Sequence, residues 1–131
     1  MLFAKNRITA SKISSLFLNN QIKKFYISVT NNKFNKNTDT LINYNSDKKK
    51  LKLAYRKIQL GNHENCYLIK LFTGKKHQIR LQFYLNNNPI IGDKKFSGNK
   101  FNKLLLCSYK IIFKLDGKFY KFKINPNKIL S

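Results

Sequence analysis

LFTGKKHQIRLQFYLNNNPIIGDKKFSG, residues 71–98, decides how the chain is read. Gly74 breaks an apolar run, and from about 76 to 87 the chain carries Ile79, Leu81, Phe83, Tyr84 and Leu85 with no Gly or Pro. That pattern predicts a strand, a glycine turn and then a helix buried on more than one side. Pro89 ends the helix, because the residue before a proline is pushed out of the helical region. A Pro-Ile-Ile-Gly-Asp corner follows. On the helix, His77, Arg80 and Tyr84 fall at i, i+3 and i+7 and share one stripe. A guanidinium at the margin of an apolar face needs an anion, since a partly buried charge without one forfeits solvation. The acidic residues are few: Asp39, Asp47, Glu64, Asp93 and Asp116. Two readings of Arg80 stay open. Its head snorkels to water over Leu81, or its partner is supplied from elsewhere.

Working outward, 131 residues with 42% hydrophobic content suit a single domain spanning 1–131, one that buries roughly two-thirds of its unfolded surface. Lys and Arg number 27 against five acidic residues, a formal charge of +22. Such a chain repels itself unless a polyanion relieves it, which makes nucleic acid the expected partner. A membrane surface is the competing explanation, but the basic residues run along the whole chain and do not follow one amphipathic helix. No run of about 18 apolar residues is present. Cys66 and Cys107 are far apart with no C-x-x-C and no histidine cluster. A zinc site is therefore not expected and a disulfide is not implied. The first twenty residues have the acid-free, amphipathic composition of an organelle transit peptide. The same residues also have the 3.6-residue spacing of a helix over about 9–20.

Residues 23–29 alternate Phe25, Ile27 and Val29 against Lys24, Tyr26 and Ser28, which predicts a strand with one face exposed. Tyr26 beside Lys24 on an accessible face suits stacking on a base; an ordinary strand tyrosine is the alternative. Residues 31–50 are polar and Asn-rich and end in a lysine run, so they read as a surface insertion with too few apolar residues to order itself. Strands follow at about 51–60 and 66–72, joined by a Gly61-Asn62 turn, and at about 104–115 and 118–124 around Asp116-Gly117. Pro126 closes the last. Strands without a βαβ rhythm, with two helices, make an α+β fold with a mostly antiparallel, mixed sheet. The residues alone show no catalytic set: no paired carboxylates, no activated nucleophile, no metal cluster, no phosphate cradle.

Three blocks in register, TGKKHQIRLQF, NPIIGDKKFSG and KLLLCSYKIIF, together resemble the C-terminal half of the RluA-type pseudouridine synthases. LFAKN at the start and KKFYISV at 23–29 extend the resemblance from about residue 2 to 125 and assign the first helix to the domain. The resemblance implies isomerisation of uridine to pseudouridine in structured RNA, rRNA or tRNA, with no metal or other cofactor. It implies an active-site tyrosine packed on the target base and an arginine paired with the catalytic aspartate, roles that Tyr26 and Arg80 match. Lys24, Lys75, Lys76, His77, Gln78, Lys94 and Lys95 are the corresponding expected RNA contacts. The family carries its aspartate in an H-R-L-D pattern just before L-F-A-K, and none of the five acidic residues here stands in that context. The expectation is a domain lacking its N-terminal strands, whose aspartate comes from an upstream segment or a separate polypeptide. The alternative is a non-catalytic basic RNA-binding remnant. Asp93 is expected to be structural. The expected compartment is the cytoplasm, with an organelle as the alternative.

Overall fold

The computed structural model describes residues 22–96 and 103–124. The expected strand at the N-terminus, the helix over about 9–20 and the stop at Pro126 lie outside the described residues. Within them are six strands and one helix: β1 (Lys23–Val29), β2 (Thr38–Tyr44), β3 (Lys50–Leu60), β4 (His63–Leu71), α1 (Gln78–Leu85), β5 (Leu106–Leu115) and β6 (Lys118–Lys123). They form one sheet in the order β2-β3-β4-β1-β5-β6. Every pairing between described strands is antiparallel, so among these strands the sheet is not mixed.

Of the three hairpins, β2–β3, β3–β4 and β5–β6, the last two follow from turn chemistry legible in the sequence. Asp116 and Gly117 both take positive φ, 51° and 79°, as a two-residue turn matched to strand twist requires. β1 is the exception to local pairing: it inserts between β4 and β5. That placement corrects the expectation that one face of β1 is exposed. Ser28 is fully buried, and Tyr26 packs against the core on the helix side. Ile27 and Val29 join Cys66, Leu105 and Cys107 in a second cluster. Pairing on both edges leaves the cover of the two faces to whatever packs on them: here residues Ile27, Ser28 and Val29 are enclosed, while Lys23 stays exposed and Lys24, Phe25 and Tyr26 are half-buried.

Residues 31–50 also differ from the sequence expectation. They contain β2, whose seven residues all pair with β3, and two apolar side chains anchor the segment. Leu41 is buried, and Phe34 stacks on Tyr55 at 4.3 Å and meets Tyr67 and Phe83 edge-on at 5.1 and 5.2 Å. The Tyr67 hydroxyl accepts from the Phe34 backbone N–H at 2.9 Å, and the Tyr55 hydroxyl donates to the Lys36 carbonyl at 3.1 Å. Burial pushes the Tyr55 phenol up to about 12, with the Asp39 charge adding to it. It therefore stays a donor at any physiological pH.

Helix α1 is shorter than expected and buries one face, not several: Gln78, Ile79, Gln82 and Phe83 are inside, whereas Tyr84 and Leu85 are exposed. Half of that inner face is amide. Gln82 Nε2 donates to the carbonyls of Leu41 and Leu51 and to Asn43 Oδ1, each at 3.1 Å. Its Oε1 accepts from Gln78 Nε2 at 2.9 Å. The helix is thus bolted to β2 and β3 by hydrogen bonds as well as by Ile79 and Phe83. Replacing Gln82 by the similarly sized Met leaves these acceptors short of a donor, which costs about 1–3 kcal/mol. Chemical denaturation of Gln82→Met is expected to show that loss.

Candidate RNA-binding site

The site forms where the loop before α1 meets the middle of β1. A β-bulge against β5 between Phe25 and Tyr26 changes the local twist and re-aims the side chains there. Tyr26, Leu71, Leu106, Gln78, Ile79, Lys75, His77 and Arg80 line a cavity of about 190 Å³. This is below the roughly 300–1,000 Å³ of drug-sized ligand sites and suits one ring-sized group. Leu71, Leu106 and Ile79 give it apolar walls, while Tyr26 and Arg80 supply the polar edge. Burial raises the Tyr26 phenol above its ordinary value, so it is a neutral, hydrogen-bonding ring.

Arg80 is not without a partner, contrary to the sequence expectation. Its Nε donates to Asp93 Oδ2 at 3.0 Å and its Nη2 to Oδ1 at 2.7 Å, a bidentate pair. That hydrogen bond raises the guanidinium further above its already high value. Asp93 reaches this position because the corner is stitched to the end of β1. The Ile91 N–H donates to the Val29 carbonyl at 2.9 Å, and the Ile91 carbonyl accepts from the Leu105 N–H at 2.9 Å. Gly92 makes the corner possible: its φ is +83°, and any Cβ there would overlap the Lys103 carbonyl. The Asp93 side chain is fully buried, while that of Arg80 keeps 20% exposure. A guanidinium has five N–H donors, so the pair leaves donors at Arg80 for a second anion in the cavity.

The remaining expected contacts divide by position. His77 caps α1 in the left-handed conformation, φ 56°, and is exposed. Desolvation, with the charges of Arg80, Lys95 and Lys76, holds its imidazole below the ordinary value. Lys75 and His77 also line an adjoining groove of about 680 Å³ with Lys76, Lys95, Phe96 and the β2–β3 turn at Asn45, Asp47 and Lys49. The Lys24 amine lies against the loop, where a methyl on Gly74 would come within 2.6 Å of it. Lys94 is exposed and lines neither space. Gln78 is a correction: its side chain is buried, and its amide is engaged by protein. Its Oε1 accepts from the Lys75 N–H and the Thr73 hydroxyl, and its Nε2 donates to the Lys52 carbonyl and to Gln82. It holds the loop in place and has little left to offer RNA.

Sequence reasoning missed the role of Asp93, the apolar walls Leu71 and Leu106, and Phe96, which lies 5.5 Å under the Arg80 guanidinium and 5.8 Å from the Tyr84 ring. The Gly-Asp step of the corner was the available signal for Asp93. Among the described residues no group of His, Cys, Asp or Glu is arranged to hold a metal ion, and no described helix is long and apolar enough to cross a membrane. Cys66 and Cys107 are buried free thiols. Burial pushes Cys66 up to about 11, with Cys107 adding to it.

Residues 1–84 match the sequence profile of the RNA pseudouridylate synthase family. An uncharacterized RNA pseudouridine synthase of Mycoplasma capricolum is 35% identical over 132 residues, covering 87% of this chain and 43% of that protein. The ribosomal large subunit pseudouridine synthase C of Rickettsia prowazekii is 32% identical over 116 residues, covering 76% of this chain and 38% of its own. The chain thus spans about two-fifths of the length of these relatives. Human RNA pseudouridylate synthase domain containing 1 superposes with a TM-score of 0.79 at 16% identity, over 93% of this chain and 62% of that one. The last likeness is one of fold.

Two predictions follow from the geometry. Arg80→Met removes the bidentate partner of a fully buried carboxylate and is expected to cost about 3–5 kcal/mol. Asp93→Asn leaves a guanidinium that can still reach water, so it should cost less; paired urea melts give the order. Because the His77 imidazole is held below its ordinary value and gains its charge only on acidification beneath that value, RNA affinity should rise as the pH falls below about 6.5 and stay level above it. His77→Gln should flatten that slope in binding titrations at constant salt.

Proposed function

The chain belongs to the RNA pseudouridylate synthase family, and from that premise we propose that it forms the base-holding half of a pseudouridine synthase site acting on structured RNA. In this reading Tyr26 packs on the target uracil between Leu71 and Leu106. Arg80, held in register by Asp93, receives the catalytic carboxylate with its remaining donors. Lys24, Lys75, Lys76, His77 and Lys95 contact the phosphates on either side. Extruding a uridine costs a few kcal/mol, and the basic rim offsets it. The name of the Rickettsia relative, a ribosomal large subunit enzyme, favours rRNA as the substrate.

One observation carries the proposal: Arg80 shares a ring-sized cavity with Tyr26 while two of its five donors are already anchored by Asp93. A second observation sets its limit. All five acidic residues lie in the described part of the chain, and none lines that cavity. In this reading the 131 residues hold the base, and the catalytic carboxylate is supplied by a segment outside them.

Isomerisation detaches the C5 hydrogen of uridine when the base rejoins the ribose through carbon. RNA carrying tritium at that position therefore reports turnover. The 131-residue chain is expected to bind the transcript without releasing tritium. A form extended by, or mixed with, an H-R-L-D segment is expected to release it, and Tyr26→Ala or Arg80→Lys in that form to lower the rate by about 10²-fold or more. Release by the unextended chain, or an extended chain indifferent to both substitutions, overturns the assignment.

A further inference from the structure

The face of the sheet turned away from α1 has no part in that site, yet it has the chemistry of a nucleic-acid surface. Strand pairing sets one row across all six strands: Thr40, Ala54, Lys70, Phe25, Lys110 and Lys123. Directly paired residues point to the same side, so along this row one ring, Phe25, stands between the ammonium groups of Lys70 and Lys110, with Lys123 beyond. The rows beside it repeat the pattern. Lys52 and Lys70 sit 4.9 and 5.1 Å from the Phe72 ring. Lys110 is 4.5 Å from Phe25, Lys123 is 5.4 Å from Tyr109, and Lys114 is 5.5 Å from Phe119. Phe72 and Phe119 are 42% and 77% exposed.

Lysines alone would be a solvated sheet face. Rings placed among them are the second feature, because each ring is a stacking surface and each ammonium a phosphate contact. Acidic side chains are nearly absent from these rows. Asp39 shares the side of Leu41, which faces the helix, Asp47 and Asp116 sit in turns, Asp93 is buried, and Glu64 lies at the far end of β4. A shallow hollow of about 180 Å³ over Ala54, Leu68 and Phe25, edged by Arg56 and Lys70, opens on the same side.

We propose that this face, turned away from α1, is a second, sequence-tolerant site for single-stranded RNA, with Phe72 and Phe25 as stacking rings and Lys52, Lys70 and Lys110 as phosphate contacts. Six strands at about 4.8 Å spacing give a track of roughly 24 Å, long enough for several nucleotides. A substrate would then be gripped on both faces of one sheet, with the target uridine on the helix side and a flanking single strand on the other.

The test uses the 131-residue chain and a labelled oligoadenylate of about 12 nucleotides, within the roughly 4–16 that a small sheet domain covers. It offers no uridine to the cavity. Binding that weakens with salt is expected, with amide shifts in the NMR spectrum centred on Lys52, Arg56, Lys70 and Phe72. Phe72→Ala should lower affinity about tenfold, the loss of one base stack, while Phe72→Tyr retains it. Lys70→Gln should lower both the affinity and the salt slope. Four results overturn the proposal: no binding; shifts confined to residues 73–80; equal affinity for Phe72→Ala and the unaltered chain; or saturation of this face by anionic lipid vesicles or by self-association with no shifts from RNA. The outcome is independent of the uridine site, because failure of isomerisation in an extended chain would leave these shifts unchanged.

Discussion

A buried carboxylate in a chain of net charge +22 organises the functional end of this protein. Asp93 is fully enclosed and paired bidentately with Arg80. To put it there, the fold accepts a left-handed glycine at Gly92 and ties the corner to β1 and to Leu105 by backbone hydrogen bonds. A buried ion pair of this kind contributes little net stability, since desolvation offsets most of the attraction. Its effect is geometric. The guanidinium is fixed against Phe96 and beside Tyr26, with donors still unused.

The same economy of polar groups holds the helix. Gln78 and Gln82 are buried amides facing strand carbonyls, and their partners come from the loop, β2 and β3. Apolar side chains alone would allow α1 to rotate or slide by a fraction of a turn, because hydrophobic contact is non-directional. Directional amide bonds remove that freedom. The loop carrying Lys75 and His77 is thereby registered against β3, and the cavity inherits a defined shape from the sheet.

Charge distributes differently on the two sides of the sheet. On the helix side the cations gather around a cavity and groove, and the buried carboxylate of Asp93 pairs with Arg80. On the other side lysines are interleaved with rings and meet almost no acid. Self-repulsion on this scale favours a polyanion-bound state over the free one, which accords with a family that acts on RNA.

Much of this was legible in the chain. Period-two alternation placed β1 at 23–29; Gly61-Asn62 and Asp116-Gly117 marked the hairpins; the Gly74 break and Pro89 bracketed α1; and the H-Q-I-R block singled out Arg80. These are signals between near neighbours, set by φ preferences and side-chain period. Which face of β1 is covered was not legible, because that depends on β4 and β5 flanking it from distant parts of the chain. Nor was β2, whose polar sequence is held by one leucine and by Phe34 reaching across to Tyr55 and Tyr67. The partner of Arg80 was misread for the same reason: thirteen residues and a glycine corner separate it from Asp93, and only the docking of that corner on β1 brings the charges together. Local sequence thus determined most of the elements and singled out the candidate site residues. Tertiary packing alone decided which polar groups face each other, since that choice is made by contacts between segments that share no local period.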